Sequence, residues 1–446
     1  MSALAPQGVG HRREIARLAV PAFLALIAEP LFLLADSAII GHLGTAELAG
    51  LGIASAALVT AAGVFVFLAY GTTSVVARHL GAGDERSAIG AGLDGFWLAL
   101  ALGALTAAVV AVWAGPISAV FGASPAVLEQ ATTYLRISAL GIPAMLVILA
   151  VTGVLRGLQD TTTPLVASVA GFGANIALNV VLVYGLHWGI AGSAWGTVLA
   201  QTGMALALVS VLLAKAHARH ARLRPHPARV LAAARTGIPL LVRTLALRAT
   251  LLVTTWVAAS LGDVPLAAHQ VAMTVWSFLA FALDALAIAG QAITGRALGA
   301  GDRDGVRVAM GTMVRWGVWG GLALGLVVVA LHQVLPPLFT PDPAVQEALA
   351  AALVVVGLGQ AVAGYVFVLD GVLIGAGDGR WLAWGMVLTL AAYLPVILAV
   401  RAAGPSDSAT RDVVVLWVAF TVFMVIRGVG LGWRARRDDW MVVGAR

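Results

Sequence analysis

Cysteine is absent from the 446-residue chain, which excludes disulfides, thiol nucleophiles and thiolate metal sites. Charge is scarce as well. Only 11% of residues are Asp, Glu, Lys or Arg, 61% are hydrophobic, and the mean hydropathy is +0.96. A soluble domain of this length needs far more charge to cover its surface. Apolar stretches of spanning length recur along the whole chain and leave no separate soluble domain. No Walker motif occurs, so ATP hydrolysis is not expected. No metal-ligand cluster or nucleophile–base spacing stands out, and the nine His lie mostly at loop ends, so neither an enzyme nor a resident cofactor is expected. The first apolar run, from about Ile15 to Ile40, is too long for a signal-peptide core and lacks a small-residue cleavage site after it.

What is present reads as an all-α integral membrane protein. Twelve transmembrane helices are predicted at roughly 15–41, 46–77, 88–113, 126–155, 162–185, 189–214, 233–260, 264–296, 306–332, 345–374, 380–401 and 411–433. Gly, Pro and Asp clusters such as Gly81-Ala82-Gly83-Asp84 and Gly375-Ala376-Gly377-Asp378 punctuate them. With the N-terminus in the cytoplasm, 20 of the 27 Lys and Arg residues fall in cytoplasmic segments and two, Arg401 and Arg411, in outer loops. That bias predicts a multi-pass protein of the cytoplasmic membrane with both termini inside. The net charge of +6 then reflects orientation rather than nucleic-acid binding. The basic stretch from Lys215 to Arg235 reads as an inner-face linker, with a lipid or nucleic-acid site as the alternative.

The chain matches itself at an offset of 218 residues. Arg78-His79-Leu80-Gly81-Ala82-Gly83-Asp84 falls on Arg296-Ala297-Leu298-Gly299-Ala300-Gly301-Asp302, Pro21 on Pro239, and Asp160 on Asp378. Between 121–160 and 339–378, 13 of 40 positions are identical without a gap, and the shared glycines and aspartates are not hydrophobic filler. The expected organisation is an N-lobe over 1–214, a basic linker over 215–232 and a C-lobe over 233–446. Six spans per repeat is an even number, so the two six-helix bundles should be related by a pseudo-twofold axis along the membrane normal, with alternating access between them. A channel is disfavoured, because no selectivity-filter motif occurs.

Functional residues should lie where the repeat is broken. Asp36 falls on Thr254, Asn175 on Tyr393, Thr152 on Asp370 and Pro30 on Arg248. A charge inside a bilayer costs several kcal/mol on most scales and needs a reason. Asp36 has no Lys or Arg in its own span; desolvation then disfavours its charged form, and it can exchange a proton or be neutralised by a cationic substrate. Glu29 lies two turns earlier on the same face, although it can instead satisfy backbone groups freed by Pro30. Asn175 and Asn179 are one turn apart on the fifth span, and Thr197 and Gln201 repeat that spacing on the sixth. They read as a proton network, a Na⁺ ligand set with Asp36, or interhelical hydrogen bonds. In the second half Asp284 and Asp370 share a lobe with Arg243 and Arg248, and opposite charges there most cheaply pair. Arg248 is expected to pair with Asp284 or Asp370. Arg136, Arg315 and Arg427 have no assignable partner at this level.

At these residues the chain resembles the multidrug and toxic compound extrusion (MATE) family, in its DinF-like branch. The stretches that carry the resemblance are Glu29-Pro30-Leu31, Leu34-Ala35-Asp36-Ser37-Ala38, Gly41-His42-Leu43-Gly44, Arg156-Gly157-Leu158-Gln159-Asp160-Thr161, Arg243 to Arg248, Leu283 to Gln291, and Asp370 to Asp378. The resemblance implies two six-helix bundles in a V-shaped molecule that exports amphipathic, often cationic compounds in exchange for H⁺ or Na⁺. It assigns the first-span acid to Asp36, the fifth-span asparagine to Asn175, the sixth-span threonine to Thr197 and the bending proline to Pro21. Many relatives carry an aspartate where this chain has Asn179. The NorM-like branch pairs a seventh-span glutamate with a tenth-span aspartate; here the seventh span offers arginines beside Asp370. The leading expectation is a proton-coupled multidrug exporter, acting as a monomer on small amphipathic or cationic molecules among membrane lipids, with H⁺ as coupling ion and no nucleic-acid partner. The alternatives are Na⁺ coupling through Asp36, Asn175 and Thr197, or a lipid-precursor flippase of related architecture.

Overall fold

The computed structural model describes residues 7–120 and 122–445, without the side chains of 7–11, 29, 31–35 and 62. Among the described residues there is no strand. The helices are α1 (Gln7–Gly41), α2 (Thr45–Phe65), α3 (Phe67–Gly81), α4 (Glu85–Ala119), α5 (Pro125–Ser138), α6 (Ile142–Gly157), α7 (Thr162–Asn179) and α8 (Gly189–Ala218), followed by α9 (Pro227–Ser260), α10 (Asp263–Gly299), α11 (Arg303–Leu331), α12 (Pro336–Phe339), α13 (Pro343–Gly375), α14 (Gly379–Ala403) and α15 (Ala409–Ala435). Eleven helical segments among the described residues are long and apolar enough to cross a membrane, counting Thr45–Gly81, Pro125–Gly157 and Thr162–Gly185 as one each. The 35-residue α1 covers the remaining span. The protein is thus an all-α integral membrane protein.

The breaks inside the spans were not visible as such in the hydropathy. The span predicted over 126–155 is interrupted by a 3₁₀ turn at Ala139–Gly141. Pro143 explains the break, because it has no N–H and its ring collides with the carbonyl four residues back. Thr45–Gly81 pauses at Val66, and α7 gives way to a π-helical segment, Val180–Gly185.

The repeat reappears as backbone geometry. Gly83 and Gly301 take φ of 79° and 80°, and Asp84 and Asp302 then cap α4 and α11 by accepting from Ser87 N and Gly305 N. In the same way Gln159 and Gly377 both hold positive φ, and Asp160 N and Asp378 N donate to Leu155 O and Leu373 O. Glycine takes the left-handed position at three of these four turns, where it carries no Cβ penalty, and Gln159 takes it at the fourth.

The chain divides into two compact units: one formed by the residues up to Ala19 with Pro239–Val443, the other by Val20–Ile238 with the last residues from Gly444. The divisions fall beside Pro21 in α1 and at Pro239 in α9. In the unit starting at Val20, one apolar cluster joins α3, α4, α6 and α8 through Val76, Leu93, Val151, Leu155 and Leu208. A second joins the end of α1 to α2, α5 and the start of α8 through Ile40, Leu51, Tyr134, Leu135 and Ile190. Large apolar side chains such as Val112, Leu252, Leu358 and Trp384 are exposed, as an outer surface facing lipid allows.

In the other unit α11 and α13 approach through glycine. A Cβ on Gly317 would lie 2.6 Å from Gly364 O, and one on Gly321 or Gly325 would collide with the carbonyls of Gln360 and Gly357. Lipid tails supply no hydrophobic drive between helices, so such backbone contact is what holds them together. Gly321→Val should separate α11 from α13 and lower stability by about 1–3 kcal/mol. Thermal unfolding in detergent should show the loss, whereas Gly320→Val, with open space around its Cβ position, should unfold like the wild type.

Candidate functional site: a buried carboxylate among neutral donors

Asp36 lies five residues from the end of α1 and is 3% exposed. Its Oδ1 accepts from Asn179 Nδ2 at 2.7 Å and from Ser193 Oγ at 2.8 Å, and its Oδ2 from the Tyr134 hydroxyl at 3.4 Å. The first two are short, charge-assisted bonds, and the third is long for an O–H donor and correspondingly weak. Asn179 Nδ2 also donates to Asn175 Oδ1 at 3.0 Å, and Asn175 Nδ2 to Thr197 Oγ1 at 3.1 Å. All six side chains are buried. The structure therefore brings Asp36, Asn175, Asn179 and Thr197 into one network. No ion pair to Asp36 occurs among the described residues. A hydrogen bond to a charged group is worth about 1.5–3 kcal/mol. Two good ones and a weak one are thus comparable to the several kcal/mol of desolvation that a buried carboxylate carries.

Local sequence makes this arrangement possible. Asn175 and Asn179 occupy the last turns of α7, directly before the π segment, a distortion frequent at functional sites. Gly196 stands one residue before Thr197, and a Cβ there would collide with Asn179 Oδ1. Gly192 likewise faces the Leu182 carbonyl, so α8 packs backbone-close against the π segment. Asn179 Oδ1 is buried without a hydrogen-bond partner.

Two members of the network were not singled out from the sequence. Ser193 had a signal: Thr197 and Gln201 are four apart on α8, and one further step of four back reaches Ser193. Tyr134 had none beyond a polar tip in an apolar span. Other candidates stand apart. Gln201 is half-buried beside Gly141 and forms no hydrogen bond with the network. The side chain of Glu29 lies outside the described residues. Pro21 and Pro30 both lie within the continuous α1.

The other unit is built differently. Thr254, the repeat mate of Asp36, bonds the Tyr393 hydroxyl at 2.8 Å and donates to Thr250 O. Tyr393 is the mate of Asn175, so the equivalent position holds a neutral pair. The acid here is Asp370 on α13, gripped by Arg243 of α9 through Nε at 3.1 Å and through Nη2, and by Arg427 Nη2 of α15 at 3.1 Å. The expected pairing of Arg248 is thereby corrected: Arg243 and Arg427 take Asp370, while Arg248 is half-buried and makes no ion pair among the described residues. Arg243 and Arg248 are five residues apart on α9, so they point to different faces. Asp284 is half-buried on α10.

A polytopic helical membrane protein with one acid held by neutral groups and one by arginines is the class that fold and site define. The model of the MatE family matches residues 21–181 and again 239–400, beginning at Pro21 and Pro239. The chain belongs to the MATE family of multidrug efflux transporters. It is 32% identical to protein DETOXIFICATION 44, chloroplastic, of Arabidopsis thaliana, over 96% of this chain and 84% of that one. It is 30% identical to DNA damage-inducible protein F of Escherichia coli, over 95% and 92%. Among solved structures, the Vibrio cholerae MATE transporter VcmN shares the fold with a TM-score of 0.87 at 20% identity, covering 98% of this chain and all of that one.

The Asp370 cluster yields a stability prediction. Asp370→Asn leaves two guanidiniums buried without their carboxylate and should cost about 3–5 kcal/mol. The triple variant Arg243→Met, Asp370→Leu, Arg427→Met should recover most of that loss. Thermal unfolding of the two in the same detergent checks the order.

Proposed function

We propose that the chain is a proton-coupled exporter of amphipathic, often cationic compounds, and that Asp36 is the group that carries the coupling proton. The observation that carries this reading is the nature of its neighbours. Among the described residues every partner of Asp36 is neutral, and two of them, Ser193 and Tyr134, are hydroxyls that accept as readily as they donate. The network can therefore close around Asp36 with or without a proton, and among the described residues no fixed cation holds it ionised. Asp370 is the opposite case, since two arginines hold it charged, and it serves as structure.

Coupling follows if substrate and proton compete for the ionised state of Asp36. A difference of one pKa unit between two conformations is worth about 1.4 kcal/mol. That biases them about tenfold without switching them completely. Loss of the charge removes the need for polar neighbours around Asp36, and α1 is loosened by Pro21, which deletes a backbone hydrogen bond. Na⁺ needs several oxygens converging on one point, as hard cations do. Asp36 already receives Asn179 Nδ2, Ser193 Oγ and the Tyr134 hydroxyl as donors, which supports the proton reading; the Na⁺ alternative would turn the same hydroxyls and the unpartnered Asn179 Oδ1 towards the ion.

The test is transport of a fluorescent cationic dye by proteoliposomes under separately imposed gradients. An acid-outside gradient in Na⁺-free medium should drive efflux; efflux that follows Na⁺ and ignores pH replaces the proton with sodium. Asp36→Asn should abolish driven efflux while retaining wild-type folding, and a variant at the wild-type rate removes Asp36 from the mechanism. Pro21→Ala should slow transport more than it weakens dye binding, both measured on one preparation.

A further inference from the structure

The basic linker has a structural feature that export does not use. An open groove of about 420 Å³ lies between α4 and the start of α9, lined by Trp97, Leu98, Ala101, Pro225, Val230 and Ala234. The lining is almost wholly apolar. The Trp97 indole N–H donates to Leu223 O at 3.1 Å and fixes the linker as the rim of the groove. Pro225 and Pro227 stiffen that rim, since their φ angles are locked.

The linker that rims this apolar floor carries charge of one sign, while the acids beside it, Glu85 and Asp94, lie on α4. Between Lys215 and Arg235 there are six basic residues and no Asp or Glu. Arg219 is paired with Glu85. Asp94, half-buried on α4, attracts Arg229 and His226 from below. Arg222 and Arg224 are exposed and make no ion pair among the described residues. At 35 residues α4 is about 52 Å long and exceeds the hydrocarbon layer of about 30 Å. Trp97, twelve residues after Glu85, stands near one edge of that layer, the depth at which Trp concentrates. The positive-inside reading makes that edge the cytoplasmic one.

We propose that this groove is a binding site for an anionic phospholipid of the inner leaflet. One acyl chain lies on Trp97, Leu98 and Ala101, and the headgroup phosphate sits among Arg222, Arg224 and Arg229. A free phosphate would use the arginines and leave the apolar floor bare. A zwitterionic lipid would use the floor and gain little from the arginines. Basic clusters beside a membrane-spanning helix attract anionic lipid in this way, and the attraction fades with salt.

The absence of native cysteine makes the test direct. Leu231→Cys, on the groove wall, places a single bimane fluorophore in the full-length protein in nanodiscs. Quenching is measured with phosphatidylglycerol or phosphatidylcholine carrying a doxyl group on the acyl chain. Phosphatidylglycerol should quench at the lower mole fraction, and the preference should fall about fivefold for each arginine removed at low salt. The variant Arg222→Gln, Arg224→Gln, Arg229→Gln should quench equally with both lipids. Ala234→Trp, which fills the groove, should weaken quenching by both lipids with the arginines intact. Equal quenching of the parent by the two lipids, or a preference that survives the triple variant, overturns the proposal. So does quenching that ignores Ala234→Trp. Inorganic phosphate that abolishes the preference beyond chloride at matched ionic strength also overturns it, in favour of a free-anion site.

Discussion

The network around Asp36 rests on one electrostatic constraint: a carboxylate is removed from water with no cation beside it among the described residues. Its stability then depends on donors held at hydrogen-bond distance by three other helices, α5, α7 and α8. Those donors need close helix approach, which is why Gly192 and Gly196 face a backbone carbonyl and the Asn179 amide. They also need α7 to end where it does, with Asn175 and Asn179 in its last turns and the π segment following. The packing of Ile40, Leu135 and Ile190 around Tyr134 holds α5, one of these three donor helices, in place.

The second unit solves the same problem with the opposite chemistry. Asp370 is buried too, but two guanidiniums neutralise it directly, and the position that corresponds to Asp36 is a threonine bonded to a tyrosine. The repeated turns at Gly83-Asp84 and Gly301-Asp302 agree to within a few degrees in the glycine φ. The two halves thus share the backbone devices that end and start helices, while their buried polar groups differ. A carboxylate among neutral groups is free to change protonation; one between two arginines is not.

Much of this was legible from local pattern. Hydropathy located the spans, because each helix must cross the bilayer on its own apolar length. The broken positions of the repeat led to Asp36 and Asn175, and one-turn spacing on the fifth and sixth spans to Asn179 and Thr197, since an intramembrane polar group is costly wherever it sits. Ser193 completes a visible four-residue stripe with Thr197 and Gln201 and was within reach. Arg427 was seen as an intramembrane charge, but its partner was not, and Arg248 was expected on Asp284 or Asp370, the latter of which Arg243 and Arg427 hold.

The sequence by itself determined that the chain lives in a membrane, that it matches itself at a fixed offset, and which few polar residues carry an energetic burden. These are properties of single segments, set by transfer free energy and helical periodicity. Only the tertiary structure decided which donors reach which acid. The three bonds to Asp36 join residues separated by 98, 143 and 157 positions. A hydrogen bond is lost over a fraction of an ångström. Spacing along one helix holds no information at that precision about the neighbouring helix, and so it could not say that Arg243 rather than Arg248 faces Asp370.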